Sequence, residues 1–487
     1  MVDKKILIVS TEFSPFTDIG HLGRVTSDMS AALRRAGVDV RAVIPMYRSI
    51  SAKLRKDAKL VCEHEQTVGW RHFHCKVYEA VHRDVPVYLV TADNSFEGAK
   101  VYTSTENDVK RFADFCACAL SVIKAVEFFP DVIQCHDWQT GFIPILVNSN
   151  EGALQLEGGP TPKTLFVLHN MKYQGICSRY ALFDQFDLSS EFISRSALEF
   201  YGEVNILKGG IVFADKLVTM SESYASEIHH SYYGENLEGV IRARSADLRG
   251  IHCGIDTGRY DPMTDKTITA NYDYKAYKAS KAANKSHILK KLGLSTEKGR
   301  MTICFSAEIL DENKGIDLIQ FVFKDLMEMN INFITAYRWG SAMGEFFASK
   351  AVEFPGRVAY TKYGKELSET AVVCGSDVLL RPSRIEPCGE KHQIALRYGT
   401  LPIVRETGGL RDVVVSYNED TNEGNGFSFA NYNAHDMLYT INRAYRIFNE
   451  KPKVWDKLIK TAMNTDVSCD RTAEGYLEVY EEMTEGL

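Results

Sequence analysis

The sequence predicts an α/β protein built from two doubly wound parallel sheets that face one another across a cleft. Three observations carry that expectation. Short apolar runs of strand length alternate with helix-length segments along most of the 487 residues, the pattern of parallel strands joined by crossover helices. The alternation pauses once, around Arg249 to Thr264, where Gly254, Pro262 and polar residues read as a linker. Polar and glycine-bearing turns follow the apolar runs, at the carboxyl edge where open α/β sheets bind ligands. Each half therefore reads as a Rossmann-like domain.

The elements follow in order. Lys5 to Ser10 is a short apolar strand, and the loop Asp18, Ile19, Gly20, His21, Leu22, Gly23 leads into a helix through Ala36 that Gly37 terminates. Strand signals recur at Val38 to Ile44, Val85 to Val90, Asp131 to Cys135, Thr164 to Leu168 and Lys216 to Met220, with a helix at Val109 to Glu127. Past the linker, Tyr274 to Leu292 reads as a lysine-rich helix. Strands resume at Met301 to Ser306, Asn332 to Ala336, Arg357 to Tyr360, Asp377 to Leu380, Leu401 to Val404 and Gly426 to Ala430. Helical periodicity at Met437 to Phe448 and Ala473 to Met483 closes the chain. The expected domains are 1–255 and 256–465, with 466–487 a helix packing back on the first domain.

Composition bounds the function. At 45% hydrophobic and 25% charged the chain is globular, and a formal charge of −7 without a basic run argues against nucleic acid as a partner. Nowhere do 18 apolar residues run together, so no membrane or export segment is expected. Eleven scattered cysteines without a CxxC pair favour buried thiols in a reducing compartment, hence a cytoplasmic protein.

The polar residues at strand ends are the candidates for chemistry. Ser383 to Gly389, through Glu386, Pro387 and Cys388, follow the apolar run Asp377 to Leu380 and precede a helix starting near Gln393. Pro387 and Gly389 shape that turn, Glu386 would direct a carboxylate into the cleft, and the next amides would face an anion at the helix mouth. His136 with Asp137 follows one strand and His169 with Asn170 another, so either histidine could hold a sugar hydroxyl or a leaving group. Lys314, just before Gly315, offers a point charge for phosphate. Thr407, Gly408 and Gly409 form a turn whose bare backbone can approach a ligand.

These pieces occur together in one order, and in that order the chain resembles the bacterial glycogen synthases and plant starch synthases over nearly its whole length. The matching segments are His136-Asp137-Trp138, His169-Asn170 with Tyr173-Gln174-Gly175, Leu198-Glu199-Phe200 with Leu207-Lys208-Gly209, and Lys314-Gly315. They continue with Pro382-Ser383-Arg384, Glu386-Pro387-Cys388-Gly389, and Tyr398-Gly399-Thr400-Leu401-Pro402 running on to Thr407-Gly408-Gly409-Leu410. The resemblance implies a GT-B fold and retaining transfer of glucose from ADP-glucose to the non-reducing end of an α-1,4-glucan, with neither metal nor cofactor. The implied partners are thus a nucleotide sugar and a glucan. By the same resemblance Asp137 and His169 would line the acceptor and donor glucose, Lys314 would hold the diphosphate, and Glu386 would be the carboxylate near the transferred sugar. Asn170, Gly20, Cys388, Gly389, Thr407 and Gly408 would complete substrate binding.

The departures cluster at the nucleotide. Where the family has a Lys-x-Gly-Gly-Leu loop, this chain has Asp18-Ile19-Gly20-His21-Leu22, which reverses a charge. The family arginine five positions before the phosphate lysine matches Ile309, beside Glu308, and the family's Gly-x-Gly turn is Tyr337-Arg338-Trp339. The adenine-stacking tyrosine matches Gly364, with Tyr363 adjacent, and Glu390-Lys391-His392 replace small and amide residues. Cys253 and Cys469 stand for an asparagine and a tryptophan. Lys391, Arg338 and Lys172 are the cations available to compensate. An alternative follows from these losses: a catalytically silent paralogue that binds glucan and regulates or scaffolds an active synthase.

Overall fold

The computed structural model describes residues 4–98, 100–103, 105–148, 159–186, 188–364 and 366–485; the ends of the expected domain spans, 1–3 and 486–487, lie outside these. The chain forms two compact units. One runs to His252 and resumes at Cys469; the other is Cys253–Ser468.

Strands of the first unit are β1 (Lys5–Val9), β2 (Asp39–Pro45), β3 (Lys59–Val68), β4 (Arg71–His82), β5 (Val85–Ala92), β6 (Val132–His136), β7 (Lys163–Leu168), β8 (Ile176–Cys177), β9 (Glu199–Phe200), β10 (Glu203–Asn205), β11 (Lys216–Thr219) and β12 (Leu248–Gly250). Nine of them make one sheet in the order β12-β11-β7-β6-β1-β2-β5-β4-β3, while β8, β10 and β9 form a small antiparallel sheet. In β1, Ile6 to Val9 are fully buried, because a central parallel strand is covered on both faces. The helix Leu22–Arg35 lies beyond it and ends before Gly37, which takes φ +93°.

The sheet is not parallel throughout. β4 pairs antiparallel with both β3 and β5, an edge hairpin that the βα reading did not include. Its signal was period two rather than 3.6: Phe73, Cys75 and Val77 are buried while His72, His74 and Lys76 alternate with them on the other face.

The C-terminal helix Cys469–Thr484 packs against Leu22–Arg35 and buries Tyr476, Val479 and Tyr480. Ion pairs fringe this contact, Lys216 with Glu482 at 2.8 Å and Arg35 with Asp470 at 2.5 Å. Exposed pairs of this kind contribute little, so the buried side chains, with Cys469, Thr472, Ala473 and Met483 beside these three, account for most of the attachment.

The second unit holds β13 (Met301–Ile309), β14 (Ile331–Trp339), β15 (Val358–Lys362), β16 (Val378–Arg381), β17 (Leu401–Arg405) and β18 (Phe427–Phe429), all parallel, in the order β15-β14-β13-β16-β17-β18. Counted from β13, that is the Rossmann order 3-2-1-4-5-6, whose switch point lies between β13 and β16. The lysine-rich helix, Tyr277–Lys291, turns Lys281 inward, where its ammonium donates to Cys374 O, Tyr398 O and Thr400 Oγ1. β14 is longer than expected. It runs through Tyr337 and Arg338 to Trp339, paired with β13 and β15, where the resemblance implied a turn. Aromatic residues favour the pleated surface, and Tyr337 stacks on Tyr360 across the strands with ring centres 4.4 Å apart.

Candidate active site

In the second unit the candidates collect at the switch point. Lys314 closes the turn Glu312–Lys314 after β13, and Gly315, at φ +73°, starts the helix Ile316–Glu328. A Cβ on Gly315 would lie 2.1 Å from Pro382 O, so only glycine lets this turn press against the loop after β16. Arg384 N–H donates to Asn313 O at 2.8 Å and joins the two loops. Lys314 Nζ then stands 3.4 Å from both carboxylate oxygens of Glu386.

Glu386 is tightly held. Its Oε2 accepts from Arg381 Nη2 and from Ser383 Oγ at 2.9 Å, while Arg381 Nη1 donates to Ser306 O at 2.6 Å. Burial alone would raise the Glu386 pKa, but Arg381, Lys314 and Ser383 outweigh it and hold the carboxyl well below the usual carboxylate range. The group is an anion wrapped by two cations. Arg381 was missed in the sequence, although an arginine ending a buried strand, here only 2% exposed, is a signal in its own right. It supplies a cation on the strand beside β13, the strand that lacks the family arginine at Ile309.

The glycine turns serve this carboxylate first. Gly408 takes φ +44°, and a Cβ there would meet Glu386 O at 2.1 Å; on Gly409 it would meet Cys388 O at 1.8 Å. Gly409 N–H donates to Glu386 O and Pro387 O, both at 3.2 Å. The bare backbone after Thr407 thus packs on the Glu386 turn. Cys388 is buried with its thiol on Cys253 O at 3.5 Å, and Gly389, at φ +80°, opens the helix Glu390–Arg397.

Of the three cations expected to compensate, Lys391 is already engaged. Its ammonium lies 3.2 Å from Glu308 and against Glu369, which also accepts from Ser306 Oγ. Burial opposes that charge, but Glu308 and Glu369 overcome it and keep the pKa above the ordinary lysine value. Arg338 lies over the Trp339 ring at 5.4 Å, and Lys172 N–H donates to Asn170 Oδ1 at 3.0 Å.

In the first unit the candidates follow β6 and β7. Asp137 sits at φ 58°, ψ −179°, a region ordinarily left to glycine. Its carboxylate accepts from His169 N–H at 2.8 Å and from the Asn170 amide, so the strained residue fixes the start of the next loop. Trp138 lies over Gly175, where a Cβ would come within 2.2 Å of the indole. His136 Nδ1 is 2.8 Å from His169 Nε2, and both rings are buried. Gly20 lies in a loop tied to the chain just past the end of β1. The Gly20 and Ile19 amides donate to Glu12 Oε2 at 3.3 and 2.8 Å, and Asp18 pairs with Arg24 at 3.1 Å. An internal carboxylate thus accepts from both of these amides.

This half carries a pH prediction. Burial lowers His136 from 6.5 to about 3 and His169 well below 6.5, so below pH 6.5 the unfolded chain takes up protons that the native rings refuse. Stability is lost as pH falls. Asp137 acts oppositely, since burial raises it from 3.8 to about 7 and the native state protonates first as pH falls. Two histidines outweigh one aspartate. Amide exchange of β6 and β7 is therefore expected to accelerate relative to the intrinsic rate from pH 6.5 to 4; unchanged or increasing protection would contradict the balance.

Comparison with known proteins decides the family. Residues 5–243 match the starch synthase catalytic domain. The chain is 39% identical over 482 residues to glycogen synthase of Geobacillus thermodenitrificans, covering 98% of each chain. The chain belongs to the glycogen and starch synthase family. Glycogen synthase of Clostridioides difficile is 37% identical over 486 residues, covering 98% of this chain and 99% of that one. The solved catalytic domain of starch synthase IV from Arabidopsis thaliana, bound to ADP and acarbose, matches with a TM-score of 0.90 at 26% identity, covering 99% of this chain and all of that one. This family member is accordingly a GT-B nucleotide-sugar glucosyltransferase, with a nucleotide sugar and a glucan as its substrate classes. Among the described residues no helix is long and apolar enough to cross a membrane.

Proposed function

We propose that the chain transfers glucose from ADP-glucose to the non-reducing end of an α-1,4-glucan with retention at the anomeric carbon. The observation that carries this reading is the Lys314–Glu386–Arg381 cluster at the switch point of the second unit, with 3.4 Å from Lys314 Nζ to Glu386. In the reaction the bond from glucose C1 to the diphosphate oxygen breaks, a bond from the acceptor O4 to C1 forms, and the O4 proton passes to the departing diphosphate. Negative charge grows on the diphosphate and positive charge on the sugar ring. Lys314 answers the first, and its loose contact with Glu386 lets it turn to an anion while Arg381 keeps the carboxylate compensated. Glu386 answers the second as a permanent anion, with no proton to lose at neutral pH. His169, Asn170 and Asp137 of the first unit address sugar hydroxyls. On this reading 1–255 is the acceptor side and 256–465 the nucleotide-sugar side, with Tyr363, buried beside Lys391 at 3.5 Å, lining the nucleotide region.

The silent-paralogue reading is the weaker. Lys314, Glu386 and Arg381 are present and mutually engaged, and relatives aligned along 98% of this chain are glycogen synthases. The burial of every cysteine except Cys62 supports a cytoplasmic setting.

Radiolabelled ADP-glucose and UDP-glucose with maltooligosaccharide test the assignment. Incorporation from ADP-glucose in excess of UDP-glucose, with α-configured product by NMR, is expected. A preference for UDP-glucose would overturn the donor, and no turnover with any sugar nucleotide would overturn the function.

A further inference from the structure

Four buried side chains of the first unit, His169 at the end, form one hydrogen-bonded line. The Tyr480 hydroxyl, from the C-terminal helix, donates to Gln134 Oε1. Gln134 Nε2 lies 3.0 Å from His136 Nε2, and His136 Nδ1 lies 2.8 Å from His169 Nε2. Tyr480, Gln134 and His136 are fully buried, and His169 is 7% exposed.

The direction of the line follows from donor and acceptor chemistry. The same amide atom of Gln134 that faces His136 also faces Met29 Sδ at 3.5 Å, and a thioether can only accept. That atom is therefore the nitrogen, which only donates. His136 Nε2 must present its lone pair, which leaves the ring proton on Nδ1. His136 Nδ1–H then donates to His169 Nε2, and the remaining proton of His169 sits on Nδ1. Among the described residues His169 Nδ1, itself buried, has no hydrogen-bond partner. A buried donor without a partner costs free energy that a bound acceptor restores.

We propose that Tyr480, Gln134 and His136 are positioning residues that fix the tautomer of His169, so that Nδ1–H is presented as a donor to an oxygen of the sugar substrate. The inference rests on the reading of His169 as a sugar-facing residue. It gives the C-terminal helix a part in the chemistry through a contact 346 positions apart in sequence, Tyr480 to Gln134. A neutral imidazole of fixed tautomer discriminates because it can only donate at one nitrogen. Without the amide to set direction, both rings are free to exchange tautomers, and in the inverted one His169 Nδ1 becomes an acceptor.

Nitrogen-15 NMR of the histidine side chains in the full chain, assigned with H136N and H169N, tests the line without reference to turnover. Wild type is expected to show Nδ1–H tautomers at both His136 and His169. Q134L, and to a smaller extent Y480F, should populate Nε2–H at His169 and lower kcat for glucosyl transfer about tenfold, with KM for the glucan less affected. An Nε2–H tautomer of His169 in wild type would overturn the proposal. So would tautomers unchanged in both variants, or a shifted tautomer with kcat unaltered. Absence of transfer by wild type would instead remove the function proposed above and leave the NMR result to judge the hydrogen-bonded line alone.

Discussion

Replacing Glu386 by glutamine is expected to lower kcat by on the order of 10³ and to destabilise the second unit by about 3 kcal/mol. The substitution preserves shape and removes charge. Arg381, at 2% exposure, then keeps a full positive charge without a carboxylate, and the cost of breaking a buried pair falls mainly on the partner left behind. Lys314 loses its 3.4 Å contact as well, so its resting position is no longer defined. Because the wild-type carboxyl is held well below its usual range, the stabilising contribution is present throughout the neutral region and disappears only as pH falls through that depressed value. The double variant E386Q/R381M separates the effects: it should recover much of the stability and none of the activity. Hydrogen exchange of β13 and β16 reads the first quantity and glucosyl transfer the second. Full activity in E386Q, or unchanged protection of both strands, would remove Glu386 from the centre of the site.

Gly409→Ala is expected to reduce transfer about a hundredfold at a stability cost of about 1–3 kcal/mol. Its new methyl would stand 1.8 Å from Cys388 O, and both sides of that contact are backbone, so no side chain can turn away to relieve it. The turns must separate. Separation also stretches the bond from Gly409 N–H to Glu386 O, which moves the residue that carries the buried carboxylate. Gly340→Ala is the control, since a Cβ there meets nothing within 4 Å. Equal kcat values for the two variants, measured at saturating donor, would show that this turn does not position Glu386.

Legibility differed from residue to residue. Lys314 and Glu386 were readable because each follows an apolar run of strand length, and the ends of neighbouring parallel strands must lie at one edge. The GT-B family was readable from motif order, which comparison with glycogen synthases bears out. Arg381 was passed over because a charged residue at the end of a buried strand was counted as part of the turn. The β3–β4 hairpin was passed over because its alternation has period two between segments of period 3.6. Gly20 shows a different limit. Its loop reads as a ligand-facing backbone, yet Glu12, eight positions earlier, reaches back to its amide.

By itself the sequence determined the alternation of strands and helices, the break near the linker, the family, and which polar residues stand at strand ends, because all of these depend on local period and on order along the chain. Tertiary structure alone decided which groups those residues meet: Arg381 rather than solvent for Glu386, two carboxylates rather than phosphate for Lys391, and Tyr480 at the far end of the line from His169. The physical reason is that a hydrogen bond or ion pair is chosen by distance and burial after packing. Residues far apart in the chain carry no periodic mark of one another.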